Sequence, residues 1–210
     1  MVALLQTIED TCRIRGLTVL GVVAEGEKRI ALVGLRADGW EKFAASAEYR
    51  DGAANPLDRW SLRVLPEIAT ETGALDVRYP FGGPPYEPFI RWSFDSGETF
   101  SSPVGMLVHH RAGFWISFRG ALVFDAEIDR KIASHPCVPC DRPCEIACPV
   151  GALAPEQDYD VPSCKSHLAS PEGNECRDAG CLVRRACPVS QAFGRSAEQS
   201  AFHMRSFLGV

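Results

Sequence analysis

The stretch that decides how this chain is interpreted is Cys137-Val-Pro-Cys140-Asp-Arg-Pro-Cys144-Glu-Ile-Ala-Cys148-Pro149. A second set of four cysteines follows, and its last member is again followed by proline: Cys164, Cys176, Cys181 and Cys187. The chain has nine cysteines in 210 residues, and eight of them belong to these two sets. Clustering of this kind indicates a metal centre, because buried structural cysteines would be scattered along the chain.

The first set has the spacing C-x2-C-x3-C-x3-C-P, which resembles the C-x2-C-x2-C-x3-C-P run of bacterial two-cluster ferredoxins. Asp141-Arg142-Pro143 stands where that run has two residues. In those ferredoxins the cysteine before the proline ligates the other cluster. The spacing therefore predicts two [4Fe–4S] sites with crossed ligands. One site would use Cys137, Cys140, Cys144 and Cys187, and the other would use Cys148, Cys164, Cys176 and Cys181.

Other interpretations of the same cysteines stay open. Structural zinc also takes four thiolates at C-x2-C spacing and would tolerate the longer loops. The wide spacing of the second set leaves a single cluster as a further alternative. Disulfides need an oxidising compartment, and the N-terminus has no basic segment before its first apolar residues, so we expect no signal peptide and a cytoplasmic protein. Cys12 lies apart from both sets and is expected in the core.

Composition narrows the classes of function. The chain is 46% apolar and 23% charged, which is enough for a globular core, and its net charge is −5. A negative charge does not favour nucleic-acid binding. No apolar run is long enough to span a membrane, and no hydrolase or kinase motif occurs. The sequence does not indicate which oligomeric state the protein adopts.

The chain is expected to form two domains of a mixed α/β or α+β protein, with a boundary near Ala133. Residues 1–132 would form an α/β domain with a mixed sheet, and 133–210 a small cysteine-rich module. Hydrophobic periodicity and turn residues predict the elements. The expected helices cover 2–15, 38–49, 55–72 and 196–207, and the expected strands cover 17–24, 29–35, 106–109, 114–118 and 121–124. We expect Asn55 to cap the third helix and Arg119-Gly120 to form a turn.

The order of these motifs resembles two protein families. Epoxyqueuosine reductases have a Gly-Ser-Trp-Phe strand, a four-cysteine module, a lone cysteine and a closing Cys-Pro. This chain has Gly113-Phe-Trp115, the module, Cys164 and Cys187-Pro188. His109–Gly120 is also similar to a His-Pro-Arg-Phe-Gly-Gly-Trp-Phe-Ala-Ile-Arg-Gly segment of CblC-type cobalamin-trafficking chaperones. Their Asp-Pro-Val-Asp helix start is similar to Asn55-Pro56-Leu57-Asp58.

The resemblance implies a flavin-reductase-like, nitroreductase-related domain joined to a two-cluster ferredoxin-like module. It places four residues at or near a corrinoid: His109, Gly113, Trp115 and Arg119. We therefore expect an iron–sulfur electron-transfer protein that exchanges electrons with bound cobalamin, with another redox cofactor of the N-terminal domain or with a redox partner protein. The alternatives are a corrinoid-dependent reductase, which would make the chain an oxidoreductase itself, and a non-redox binding protein stapled by zinc.

Overall fold

The structure, a computed structural model, describes residues 2–209 and divides into two compact units. The sheet unit comprises 2–99 and 117–133, and the cysteine unit comprises 100–116 and 134–209. The sequence predicted one division, near Ala133. The structure has a division at that place and, in addition, assigns 100–116 to the cysteine unit. The reason is apolar burial, since Val104, Val108 and Phe114 pack with Cys144 and Cys187 in one hydrophobic cluster.

Within the described residues, the sheet unit contains a four-stranded antiparallel sheet in the order β1 (Leu17–Glu25), β2 (Lys28–Leu35), β6 (Phe118–Phe124), β3 (Asp76–Arg78). The α+β class expected from the sequence is confirmed, and the expectation of a mixed sheet is wrong. The turn between β1 and β2 is two residues long, which permits only an antiparallel pair.

Five helices of the sheet unit are described: α1 (Val2–Ile14), α2 (Trp40–Ala44), α3 (Ala47–Arg50), α4 (Pro56–Thr72) and α5 (Phe89–Asp95). The single helix predicted over 38–49 is wrong, because Ser46 interrupts it. Its hydroxyl accepts a hydrogen bond from the Tyr49 N–H at 3.3 Å and starts a new helix. Asn55 occupies the N-cap position of α4 as predicted, but with φ 52° and no capping bond from its side chain. The helix continues past Pro66 and ends at Thr72 before Gly73.

Strand β6 replaces the two strands and the turn that the sequence predicted around Arg119-Gly120. Gly120 lies inside the strand, where a Cβ atom would come within 2.4 Å of the Leu65 side chain of α4. The glycine therefore marks a close approach of helix and strand, one of the uses of glycine inside strands. The core between sheet and α5 includes Trp92 and Ile30.

The short strands β4 (Thr99–Ser101) and β5 (Leu107–His109) pair with each other, and apart from Thr99 their residues belong to the cysteine unit. Five short helices follow: α6 (Val161–Ala169), α7 (Asn174–Ala179), α8 (Leu182–Ala186), α9 (Pro188–Phe193) and α10 (Ala197–Leu208). Two 3₁₀ turns lie at Pro143–Ile146 and Pro171–Gly173. The predicted terminal helix is confirmed as α10. Within residues 2–209, no helix combines the length and apolar character needed to cross a bilayer.

Candidate metal centres

The first cysteine run forms a loop that accommodates its additional residue at Arg142. This residue takes a left-handed conformation, φ 55°, and its N–H lies 3.3 Å from Cys140 Sγ. Pro143 then starts the 3₁₀ turn that carries Cys144. The reversal at Arg142 keeps Cys140 and Cys144 on one short loop although three residues separate them.

Short helices fill the wide spacing of the second run. Cys164 lies within α6 and Cys176 within α7, Cys181 precedes α8, and Cys187 precedes α9. Gly180 joins α7 to Cys181 with φ 96°, and a Cβ atom there would lie 2.7 Å from the Cβ of Ser200. Glycine is required at this position both by the backbone and by the close approach of α10.

Four cysteines line one cavity of about 450 Å³: Cys137, Cys140, Cys144 and Cys187. Its apolar wall includes Val108, Phe114 and Val189, all inside the cysteine unit. Cys144 and Cys187 are buried, with 5% and 7% of their surface exposed. A cavity lined by four thiols and otherwise largely apolar is suited to a metal group shielded from water.

The eight thiols fall into two groups of four, within which the thiols interact electrostatically. Cys137 interacts with Cys140 and Cys187, and Cys144 interacts with all three. In the other group, Cys164 interacts with Cys148 and Cys181. Cys176 interacts with the same two thiols and with Cys164. The first four are the residues that line the cavity. Each group contains one cysteine of the other sequence run, Cys187 in the first and Cys148 in the second.

Burial raises the pKa of four of these thiols in the absence of a metal. It is the largest cause of the raised pKa of Cys137, Cys164 and Cys176, and it raises that of Cys144 to about 11. Charge on the neighbouring thiolates of each group raises these pKa values further. A metal that binds here must displace the protons, because thiolates and not thiols are the ligands.

Hydrogen-bond donors face the sulfurs of the second group. The Tyr159 hydroxyl bonds to Cys164, and this bond lowers the pKa of that thiol against the effect of burial. The backbone N–H of Leu182 bonds to Cys176. Tyr159 also stacks on Phe207 of α10, with ring centroids 6.3 Å apart. Sequence reasoning did not find Tyr159, because nothing in the pattern links it to Cys164.

The separation of the sulfurs can be compared with the separation that each kind of metal group requires. Among the cysteines, all of which lie in the described part of the chain, no three have sulfurs within 4.8 Å of one another. A single zinc ion with thiolates at about 2.3 Å in a tetrahedron draws all four sulfurs to about 3.8 Å from one another. In a cubane cluster each thiolate binds a different iron, so the sulfurs stay farther apart. In this structure the sulfurs are therefore farther apart than a bound zinc ion would hold them.

His109 and Gly113, which the resemblance assigned to a corrinoid, have structural partners in the cysteine unit. The His109 side chain is fully buried, and its Nδ1 accepts hydrogen bonds from the backbone N–H groups of Arg111 and Ala112. Gly113 has φ 56°, and a Cβ atom there would lie 2.4 Å from Ser190 Oγ. That hydroxyl accepts a hydrogen bond from the Phe114 N–H at 2.9 Å.

Trp115 and Arg119 belong to different units. Trp115 is buried in the cysteine unit, where the Arg195 guanidinium lies 4.9 Å from its ring centroid. Arg119 lies on β6 of the sheet unit and donates a 3.0 Å hydrogen bond to Asp58 Oδ1. Burial lowers the pKa of Arg119, and the charge of Asp58 opposes this effect.

Comparison of the chain with protein-family models gives no match, and comparison with curated proteins gives none either.

Proposed function

We propose that the cysteine unit binds two [4Fe–4S] clusters and that the protein transfers electrons through them. One observation carries the proposal: the eight thiols divide into two groups of four, and each group takes one member from the other sequence run. This is the crossed ligand set expected from the ferredoxin-like spacing. When bound, such clusters accept and release single electrons at a potential that the protein sets.

The residues around the thiols support this role in two ways. Apolar side chains such as Val108, Phe114 and Val183 exclude water from Cys144 and Cys187. Hydrogen-bond donors such as the Arg142 N–H and the Tyr159 hydroxyl would stabilise negative charge on the ligating sulfurs. Burial and hydrogen bonding are the two means by which a protein adjusts a cluster potential.

The proposal is tested by measuring iron, acid-labile sulfide and zinc on anaerobically purified full-length protein. About eight irons and eight sulfides per chain, with a brown absorbance that dithionite bleaches, are expected for two clusters. About four irons would limit the proposal to one cluster. Stoichiometric zinc without sulfide would contradict it and favour a non-redox binding protein that is stabilised by structural zinc.

Cysteine variants test the division into groups. Cys140→Ser should remove the first cluster and Cys181→Ser the second, and each variant should retain about half of the parental iron. Cys12→Ser is the matched control. Cys12 is buried in the sheet unit, where burial raises its pKa to about 12. Loss of all iron in either variant would contradict the assignment of ligands to separate clusters.

The proposed electron partner is a corrinoid or another redox cofactor bound by a flavin-reductase-like N-terminal domain. Cobalamin is the direct probe for the first case. Retention of cobalamin absorbance by the protein through gel filtration would support a corrinoid partner and a reductase function. Its complete separation from the protein would favour a different cofactor or a separate redox protein.

A further inference from the structure

A second cavity of the cysteine unit, of about 600 Å³, lies outside the one lined by Cys137 and its group. Cavities of about 300–1,000 Å³ commonly hold small organic ligands. Two arginines, Arg185 and Arg195, line it, and none of its described lining residues is acidic. The charge of the lining therefore favours an anion.

Neighbouring residues of the cysteine unit contact both arginines. The Arg195 guanidinium stacks on Trp115, and its Nη2 donates to the Gln199 carbonyl at 3.4 Å. Gln191, another lining residue, donates from Nε2 to the backbone carbonyl of Arg185 at 3.0 Å. Two positioned guanidinium groups on one cavity are suited to an oxyanion, because their N–H donors match its oxygens in pairs.

Arg185 also pairs with the exposed carboxylate of Glu175 at 2.9 Å. A guanidinium carries five N–H donors, so this pair leaves Arg185 donors for a second oxyanion. Ser190 also lines the cavity, and its buried hydroxyl already accepts the hydrogen bond from the Phe114 N–H. The charged part of the lining therefore consists of the two arginines.

Most of the remaining wall is apolar and comes from Trp115, Leu182, Ala147 and Ala186, and Gln191 adds one polar side chain. The cavity is much larger than an inorganic phosphate ion, and the apolar part of this wall offers such an ion no partner. A ligand that fills the cavity must carry an apolar or aromatic part as well as its negative charge.

We propose that this cavity binds an organic phosphate of mononucleotide size. Its phosphate would pair with Arg185 and Arg195, and its organic part would contact Trp115 and Leu182. Ala147 and Ala186 are bonded to Cys148 and Cys187, so the ligand would lie one residue from a member of each cysteine group. The proposal concerns binding alone and does not depend on which metal the cysteines hold.

Isothermal titration of the anaerobic full-length protein tests it with adenosine monophosphate, inorganic phosphate and adenosine as probes. We expect one adenosine monophosphate per chain, bound at least about tenfold more tightly than either fragment, because only this probe meets both the arginines and the apolar wall. Absence of binding at millimolar concentration, or equal binding of adenosine, would overturn the proposal.

Two variants locate the site. Arg185→Gln and Arg195→Gln should each weaken binding of adenosine monophosphate at least about tenfold, and the exposed Arg205→Gln of α10 should not. Arg185→Gln decides the matter if loss of the Trp115 stack prevents Arg195→Gln from folding. Unchanged affinity in Arg185→Gln would overturn the site. Iron and sulfide measured on the same samples report on the cluster proposal separately.

Discussion

Single side chains around the cysteines determine how much negative charge each sulfur can hold. Tyr159 is the clearest case, because its hydroxyl bonds to Cys164 while its ring stacks on Phe207. Burial is the largest cause of its raised pKa, and the Cys164 bond adds to it. The phenol therefore keeps its proton and remains a donor to the sulfur.

Tyr159→Phe should make the potential of the proposed second cluster more negative by tens of millivolts. The variant removes the hydrogen bond that stabilises charge on Cys164 and keeps the ring that stacks on Phe207. Redox titration followed by electron paramagnetic resonance measures the shift. The exposed Tyr86→Phe in the sheet unit is the control. A potential equal to that of the parent would show that the hydroxyl does not act on the cluster.

Gly113→Ala should destabilise the cysteine unit whether or not a corrinoid binds. The variant combines a positive φ with a contact of 2.4 Å to Ser190 Oγ. The clash should cost about 1–3 kcal/mol in addition to the backbone strain. Gly105→Ala is the matched control in the same unit, since φ is 73° there and nothing lies within 4 Å. Urea unfolding that shows equal losses for both variants would contradict the role assigned to Ser190.

Among the secondary-structure elements, the packing of β6 on α4 depends on the absence of a side chain at Gly120. A Cβ atom at this position would lie 2.4 Å from Leu65 Cδ1 and 3.0 Å from the Arg78 carbonyl. Leu65 is fully buried, so it has little room to move away. The strand can pack against the helix only with glycine here.

A double-mutant cycle tests this contact. Gly120→Ala should cost about 1–3 kcal/mol of unfolding free energy by overpacking, and Leu65→Ala about 2–5 kcal/mol by leaving a cavity. The double variant should lose clearly less than the sum, because the new methyl group occupies part of that cavity. Strictly additive losses in urea unfolding would show that the two residues do not contact.

The elements also show how far local sequence patterns reach. The β1–β2 hairpin and the helix that ends at Gly73 were predictable, because turn and cap residues act over a few positions. Arg119-Gly120 was mistaken for a turn, since only the tertiary contact with Leu65 explains a glycine inside the strand. The excursion of 100–116 into the cysteine unit was not predictable, because Val104 and Val108 look the same whichever core they enter.

The candidate site was predictable to a different degree. Cysteine spacing was sufficient to suggest two groups of four, because clustered cysteines are visible in the sequence itself. The sequence did not indicate Tyr159, Arg185 or Arg195, since a tyrosine or arginine near a cysteine is common and only the fold brings these residues to a sulfur or a cavity. The separation of the sulfurs also required the structure.

For the molecule as a whole, the two units should respond differently to loss of metal. The sheet unit has its own hydrophobic core around Trp92. The hydrophobic core of the cysteine unit, in contrast, includes Cys144 and Cys187 themselves. Metal ligation would therefore contribute to the stability of the second unit alone.

Removal of iron with a chelator should abolish hydrogen-exchange protection in α6–α9 and leave β1, β2 and β6 protected. Exchange followed by mass spectrometry, before and after chelation, distinguishes the two sets of peptides. Re-addition of iron and sulfide under reducing conditions is the control and should restore protection. Equal loss of protection in both units would contradict their separate stabilisation.

The assignment of 100–116 to the cysteine unit has a consequence for synthesis on the ribosome. Strand β6 lies between β2 and β3 and is made after that excursion. The nascent chain therefore cannot complete the sheet when residue 99 emerges from the ribosome. Strand β2 lacks its partner β6 until residue 124 has emerged. By then the excursion has also emerged, whereas no cysteine of the two groups has emerged from the ribosome. The apolar residues of 100–116 are therefore exposed without their partners, and a nascent chain that stalls after residue 124 has emerged but before residue 137 has emerged should be prone to aggregation.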